Sequence, residues 1–151
     1  MAYITNMAPD FTTAPLFNLE STVGRTGKNL PSDVYLMQIL FTEVSKGTSW
    51  KYNFTNFSYG RELEKALEDY KRLSNEYAAK HKDPSMKVYY EGHIDPAKGS
   101  TRAFGSNRLW SICRLNNIVQ RRIVSEGYTD GLVDYIYHFY PLARATFADR
   151  R

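Results

Sequence analysis

The 151-residue chain is short of the residues that staple, ligate or span. Its single cysteine, Cys113, excludes an internal disulfide and any zinc site built from several thiolates. Cys113 sits within an apolar helical pattern and reads as a small buried hydrophobe. No stretch approaches the roughly 20 apolar residues of a membrane-spanning helix. Residues 1–20 lack the basic start and continuous apolar run of a secretory signal. The chain is therefore expected in the cytoplasm as synthesised, or within a particle or injection machine. Neither sign of charge dominates: 20 Lys and Arg face 16 Asp and Glu, a net charge of +4. That excess suits an acidic partner only mildly. The densest cations, Arg108, Arg114, Arg121 and Arg122, read first as solvated helix faces.

Aromatic residues are plentiful. Twelve tyrosines and eight phenylalanines suit covered surfaces, because a tyrosine ring is apolar along its body and polar at its tip. Apolar residues make up 42% of the chain, and a domain of this size buries roughly 70% of its unfolded surface, so it needs no staple.

Residues 1–20 show no sustained period and contain Pro9 and Pro15, which reads as an extended N-terminal arm. A helix is expected from Pro31 or Ser32, with proline at the first helical position and Asp33 at the positive end of the dipole. Val34, Met37, Phe41 and Val44 form one face, and Gly47 supplies a stop. The polar and aromatic stretch at 47–60 reads as a loop or short hairpin. From Arg61 to about His81, Leu63, Ala66, Leu67, Tyr70, Leu73 and Tyr77 make one apolar stripe opposite charges. Residues 87–100 suggest a short extended stretch, a Glu-Gly turn and a loop. A third helix is expected from about Ser106 to Ser125. Residues 131–140 fit a helix ended by Pro141 but also alternate acceptably as a strand, and residues 141–151 read as a tail.

Two helices share a small pattern. Val34-x-x-Met37-Gln38 and Ile112-x-x-Leu115-Asn116 each place an amide one turn beyond an aliphatic residue. A half-buried amide needs hydrogen-bond partners, so Gln38 and Asn116 are expected to pin neighbouring loop backbone.

The stretch "VGRTGKNLPSDVYLMQILF", through Gly24, Gly27, Asp33, Val34, Met37, Gln38 and Phe41, resembles the opening of peptidoglycan-binding-like domains. These are small three-helix modules attached to many cell-wall hydrolases. The family's second block is matched by Glu91, Gly92, Ile94, Pro96, Ile112, Leu115 and Asn116. Asp95 stands where the family has glycine, the loop 97–105 is longer, and the helix near 61–82 separates the blocks. The resemblance implies a mainly α fold: a small helical bundle with a three-helix core, an inserted helix and extended terminal arms. Its domain plan is an arm at 1–20, a core at 21–140 with an insertion at 48–86, and a tail at 141–151. The departures from the family pattern, the missing export signal, the tyrosine load and the arms point first to a non-catalytic adaptor docking onto protein neighbours in a bacterial or phage-type assembly, such as a contractile injection system. The activity the resemblance implies, a cell-wall module binding peptidoglycan, is the alternative, and a nucleic-acid binder using the arginines near 108–122 the weaker one.

Single residues point mostly to structure. The glycine-rich opening could favour an anion at a helix start, but no Gly-Lys-Ser/Thr closes it, so it reads as a turn. His93-x-Asp95 lacks a third ligand in recognisable spacing and reads as a turn beside Asp-Pro. Cys113 has apolar neighbours rather than the electropositive setting a nucleophile needs. Glu62, Glu64, Glu68, Asp69 and Glu76 face outward between cations, without the cleft that paired catalytic carboxylates require. No cofactor and no catalysis are expected. Tyr89 and Tyr90 could stack on sugar or base rings, although adjacent strand residues point to opposite faces and packing is the first reading. With Arg108 and Arg114 they are the candidate partner-binding residues.

Overall fold

A computed structural model describes residues 1–84, 92–103 and 108–151. Five helices occur among them: α1 (Pro31–Ser45), α2 (Arg61–His81), α3 (Ser111–Ser125), α4 (Leu132–Phe139) and α5 (Pro141–Thr146). The strands are β1 (Tyr3–Met7), β2 (Phe11–Asn18), β3 (Val23–Gly24), β4 (His93–Ile94) and β5 (Ala148–Asp149).

The architecture is a mixed α/β fold, which corrects the mainly helical bundle with extended arms. The supposed N-terminal arm is an antiparallel hairpin, with Tyr3 opposite Asn18 and Ile4 opposite Phe17. The supposed tail contributes a short helix and then β5, which runs parallel to β1 and gives a three-stranded sheet of order β2-β1-β5. The reason is burial. Ile4, Leu16 and Phe17 have no accessible surface and belong to the same apolar cluster as Val34, Met37, Ile112 and Leu115. Their side chains complete the core that the helices alone leave open, and the sheet pairs their backbone.

Helices α1 and α3 pack on one another, and α3 and α4 also pack against β2. A second, two-stranded sheet joins the loops that lead into this pair, with Val23 opposite Ile94 and Gly24 opposite His93. Gly24 lies at φ +143°, and a Cβ there would meet the Gly92 carbonyl oxygen at 2.2 Å. Only glycine permits that approach. Gly27 is confined in the same way, since a Cβ would stand 2.2 Å from the Thr22 carbonyl oxygen. Asn29 closes the loop by accepting from the Gly24 N–H at 2.8 Å and donating to the Gly24 and Gly27 carbonyls.

Pro31 opens α1 as its first residue, and α2 runs from Arg61 to His81 along its amphipathic stripe. Residues 47–60 contain no strand. Helix α3 starts at Ser111, five residues after the expected Ser106. Residues ahead of it instead form a bridge between Arg102 and Leu109. The segment with two readings, 131–140, is helical: α4 begins after Gly131, whose φ of +93° suits glycine. No helix among the described residues is long and apolar enough to cross a membrane.

Candidate functional site

Polar groups inside the fold are mostly consumed by structure. Asn116, with no exposed surface, accepts from the Phe17 N–H and donates to the Phe17 carbonyl, both at 2.8 Å, and also donates to the Ile112 carbonyl. It thereby closes the edge of β2 opposite β1. Gln38 donates to the Asn56 carbonyl and fixes the loop after α1. Asp33 is buried and accepts from the Glu20 and Ser21 N–H groups at 3.0 and 2.9 Å. Burial raises its pKa, and those two hydrogen bonds only partly oppose the rise.

A buried charge ties three helices together. The Glu43 carboxylate, fully inaccessible, accepts from Lys46 at 2.7 Å, from the Tyr140 hydroxyl at 2.7 Å and from the Tyr135 hydroxyl at 3.0 Å. It also pairs with Arg122 on α3. Burial pushes the Glu43 pKa up, but the bonds from Lys46, Tyr140 and Tyr135 and the Lys46 charge overcome it, so the carboxyl titrates below its ordinary value. The same bonds hold the Tyr140 hydroxyl well above its usual range, after burial as the larger cause.

Beside this network the satisfaction stops. Between the loop after α1, helix α2 and helix α3 lies a cavity of about 350 Å³. Phe41, Trp50, Tyr52, Tyr70, Leu73 and Ile118 give it an apolar wall. Across the Ile118 ridge of α3 a second depression of about 730 Å³ adjoins it, lined in part by Phe11, Leu109, Arg121 and Val124. Of the eight large hydrophobic side chains exposed among the described residues, Leu73, Tyr77, Ile118 and Val124 line these two depressions. Such concentration marks a contact surface, whereas single scattered apolar residues would need no account.

Three buried polar atoms on the same face lack a hydrogen-bond partner: the Tyr70 hydroxyl, Nε of Arg122 and Oε1 of Gln120. Tyr70 is only 6% exposed. Burial raises its pKa, while Arg114, Ser111 and Ser74 stand near enough to damp the rise without satisfying the hydroxyl geometrically. An orphaned buried polar group costs about 1–3 kcal/mol.

The residues expected to meet a partner fare differently. Arg114 is only 5% exposed although it lines both depressions, and Arg122 is committed to Glu43 and Glu126. Arg108 is half-buried, and its carbonyl accepts from the Ala103 N–H at 2.7 Å. These arginines do not form one exposed strip. Tyr89, Tyr90 and Glu91 lie outside the described residues. Gly92, Ile94 and Pro96 belong to the β4 region: Gly92 accepts from the Arg25 N–H and Ile94 is buried. His93 and Asp95 stand 3.5 Å apart, and Asp95 also accepts from the Thr22 hydroxyl at 2.6 Å. Among the described residues no group of three or more His, Cys, Asp or Glu side chains could hold a metal ion. Burial pushes the Cys113 thiol up to about 12.

Sequence reasoning missed Trp50, Tyr52 and Tyr70 as site residues. One signal was available. The apolar stripe of α2 continues through Leu73 and Tyr77, beyond the buried Leu63, Ala66, Leu67 and Tyr70, and the excess faces outward.

No family model, curated protein or solved structure matches the chain.

Proposed function

We propose that this protein is a non-catalytic adaptor that seats a segment of a partner protein on the face formed by α2 and α3. The observation that carries the reading is the concentration, around two adjoining depressions, of four of the eight large apolar side chains exposed among the described residues. A docked segment covers them, which is the anatomy of an interface with an apolar centre. The non-catalytic part is supported by where the reactive groups go. Asp33 and Glu43 are bound up in holding strands and helices, and the Cys113 thiol is buried and shifted far from the thiolate range.

Photo-crosslinking in the native host tests the proposal. A crosslinking amino acid at Leu73 or Ile118 is expected to trap one dominant protein at high occupancy. The same group at Leu142, exposed elsewhere, is expected to trap little of it. Ile118→Arg is expected to abolish co-purification of that protein. A chain that stays monomeric in the lysate, with no adduct at positions 73 and 118, would overturn the reading.

A further inference from the structure

We infer that the docked segment presents an acidic side chain between apolar ones, laid along the outer strip of α3 and held there by Arg121. The inference rests on the docking reading and names the partner's chemistry. Ile118, Arg121 and Val124 follow one another at intervals of three, so they share one strip of the helix surface, and all three are exposed. At a rise of about 1.5 Å per residue, the two apolar members stand roughly 9 Å apart along the axis with the cation between them. The strip borders the depression of about 730 Å³, whose apolar wall continues through Phe11 and Leu109. The charged side chains lining that depression are three arginines and a single acid, Asp10. Asp10 is already taken, since Arg102 and the Thr101 hydroxyl both donate to it, at 3.1 and 2.8 Å. Arg114 is nearly inaccessible. That leaves Arg121, which has no hydrogen bond or ion pair among the described residues, and α3 has no acidic residue to offer it. A segment that covers Ile118 and Val124 also takes water from this guanidinium, which is costly unless the segment brings an opposite charge. A carboxylate fits the guanidinium fork bidentately, whereas a basic or wholly apolar segment leaves the charge uncompensated.

Crosslinking at Ile118 supplies the probe. The peptide trapped there is identified by mass spectrometry and synthesised twice, once as found and once with its acid replaced by the matching amide. Both peptides are then titrated into the full-length protein. The trapped peptide is expected to hold an Asp or Glu within about four residues of the crosslink, and the amide version to bind at least fivefold more weakly. Arg121→Glu is expected to weaken the acidic peptide at least tenfold and the amide peptide less than threefold, while Arg121→Lys stays within about threefold of the parent for both. Arg144→Glu makes the same change in net charge at an exposed position elsewhere, and is expected to leave both peptides within twofold. Such dependence of one substitution on the other marks a direct pair, which a general charge effect does not produce. A trapped peptide without a nearby acid, equal binding of the two peptides, or an Arg121→Glu effect shared by both would overturn the carboxylate and leave docking intact. A trapped peptide from a second copy of this chain would overturn the separate partner. No adduct at position 118 in the parent would overturn the docking reading and this inference with it.

Discussion

The two sides of α3 treat polar groups in opposite ways. On the inner side Asn116 has no exposed surface and three hydrogen bonds, and Glu43 on α1 draws donors from Lys46 just beyond that helix and from α3 and α4. On the outer side Tyr70, Gln120 and Arg122 each keep a buried atom without a partner. The apolar cluster takes Ile112, Cys113, Leu115, Val119 and Ile123 from α3, and leaves Ile118 and Val124 exposed. The inner side is finished by the chain's own fold, and the outer side is the face on which a partner segment is proposed to dock.

The contrast can be broken from the inner side first. Asn116→Ala leaves the Phe17 N–H and carbonyl buried and unpaired, and at about 1–3 kcal/mol for each orphan the loss is expected to be about 4 kcal/mol. Urea unfolding measures it, and a loss under about 1 kcal/mol would mean the amide is not needed to close β2. Glu43→Gln comes next, at about 3 kcal/mol, because it leaves Arg122 and Lys46 less well compensated. Its pH signature has a definite sign. Since the folded carboxyl titrates below its unfolded value of 4.5, its contribution is present above that pH and is lost as pH falls through the folded value. The acid limb of a stability–pH profile is expected to flatten in Glu43→Gln.

Gly24→Ala follows at about 2 kcal/mol, set by the positive φ and the approach of the Gly92 carbonyl oxygen. Thermal melts read it, and a neutral result would mean that the β3–β4 contact yields easily. The sharpest test of the contrast is smaller and of opposite sign. Tyr70→Phe removes an orphaned hydroxyl and keeps the ring, so stability is expected to rise by up to about 1 kcal/mol. A loss of that size would show the hydroxyl is bonded in the free protein. Smallest of all, Ile118→Ser is expected to stay within about 0.5 kcal/mol of the parent, as suits an exposed position, while still weakening partner capture.

Much of the helical part was legible because its signals are local. Pro31 and the spacing of Val34, Met37, Phe41 and Val44 place α1, and the stripe from Leu63 to Tyr77 places α2. The sheets were not legible. β3, β4 and β5 are two residues long, too short to show alternation, and Tyr3 pairs with Ala148 at the other end of the chain. No window of sequence contains both partners. The start of α3 was misplaced for a related reason: Leu109 is apolar and in phase with the helix, but the contact with Arg102 takes it. In the candidate site, the arginines were visible as a group while their exposure was not. Arg114 follows the helical period onto an inward position, and Arg122 turns to Glu43, 79 residues away. The aromatic lining was scattered over a loop and two helices, and only folding gathers it.

The seam between β1 and β5 also sets an order of events. While the polypeptide is being made, the first hairpin can form early from neighbouring residues, but its outer edge must wait for residues 148–149 to leave the ribosome. Until then the growing product carries an unpaired strand, so the last few residues act as a latch that closes only when translation of this region is complete.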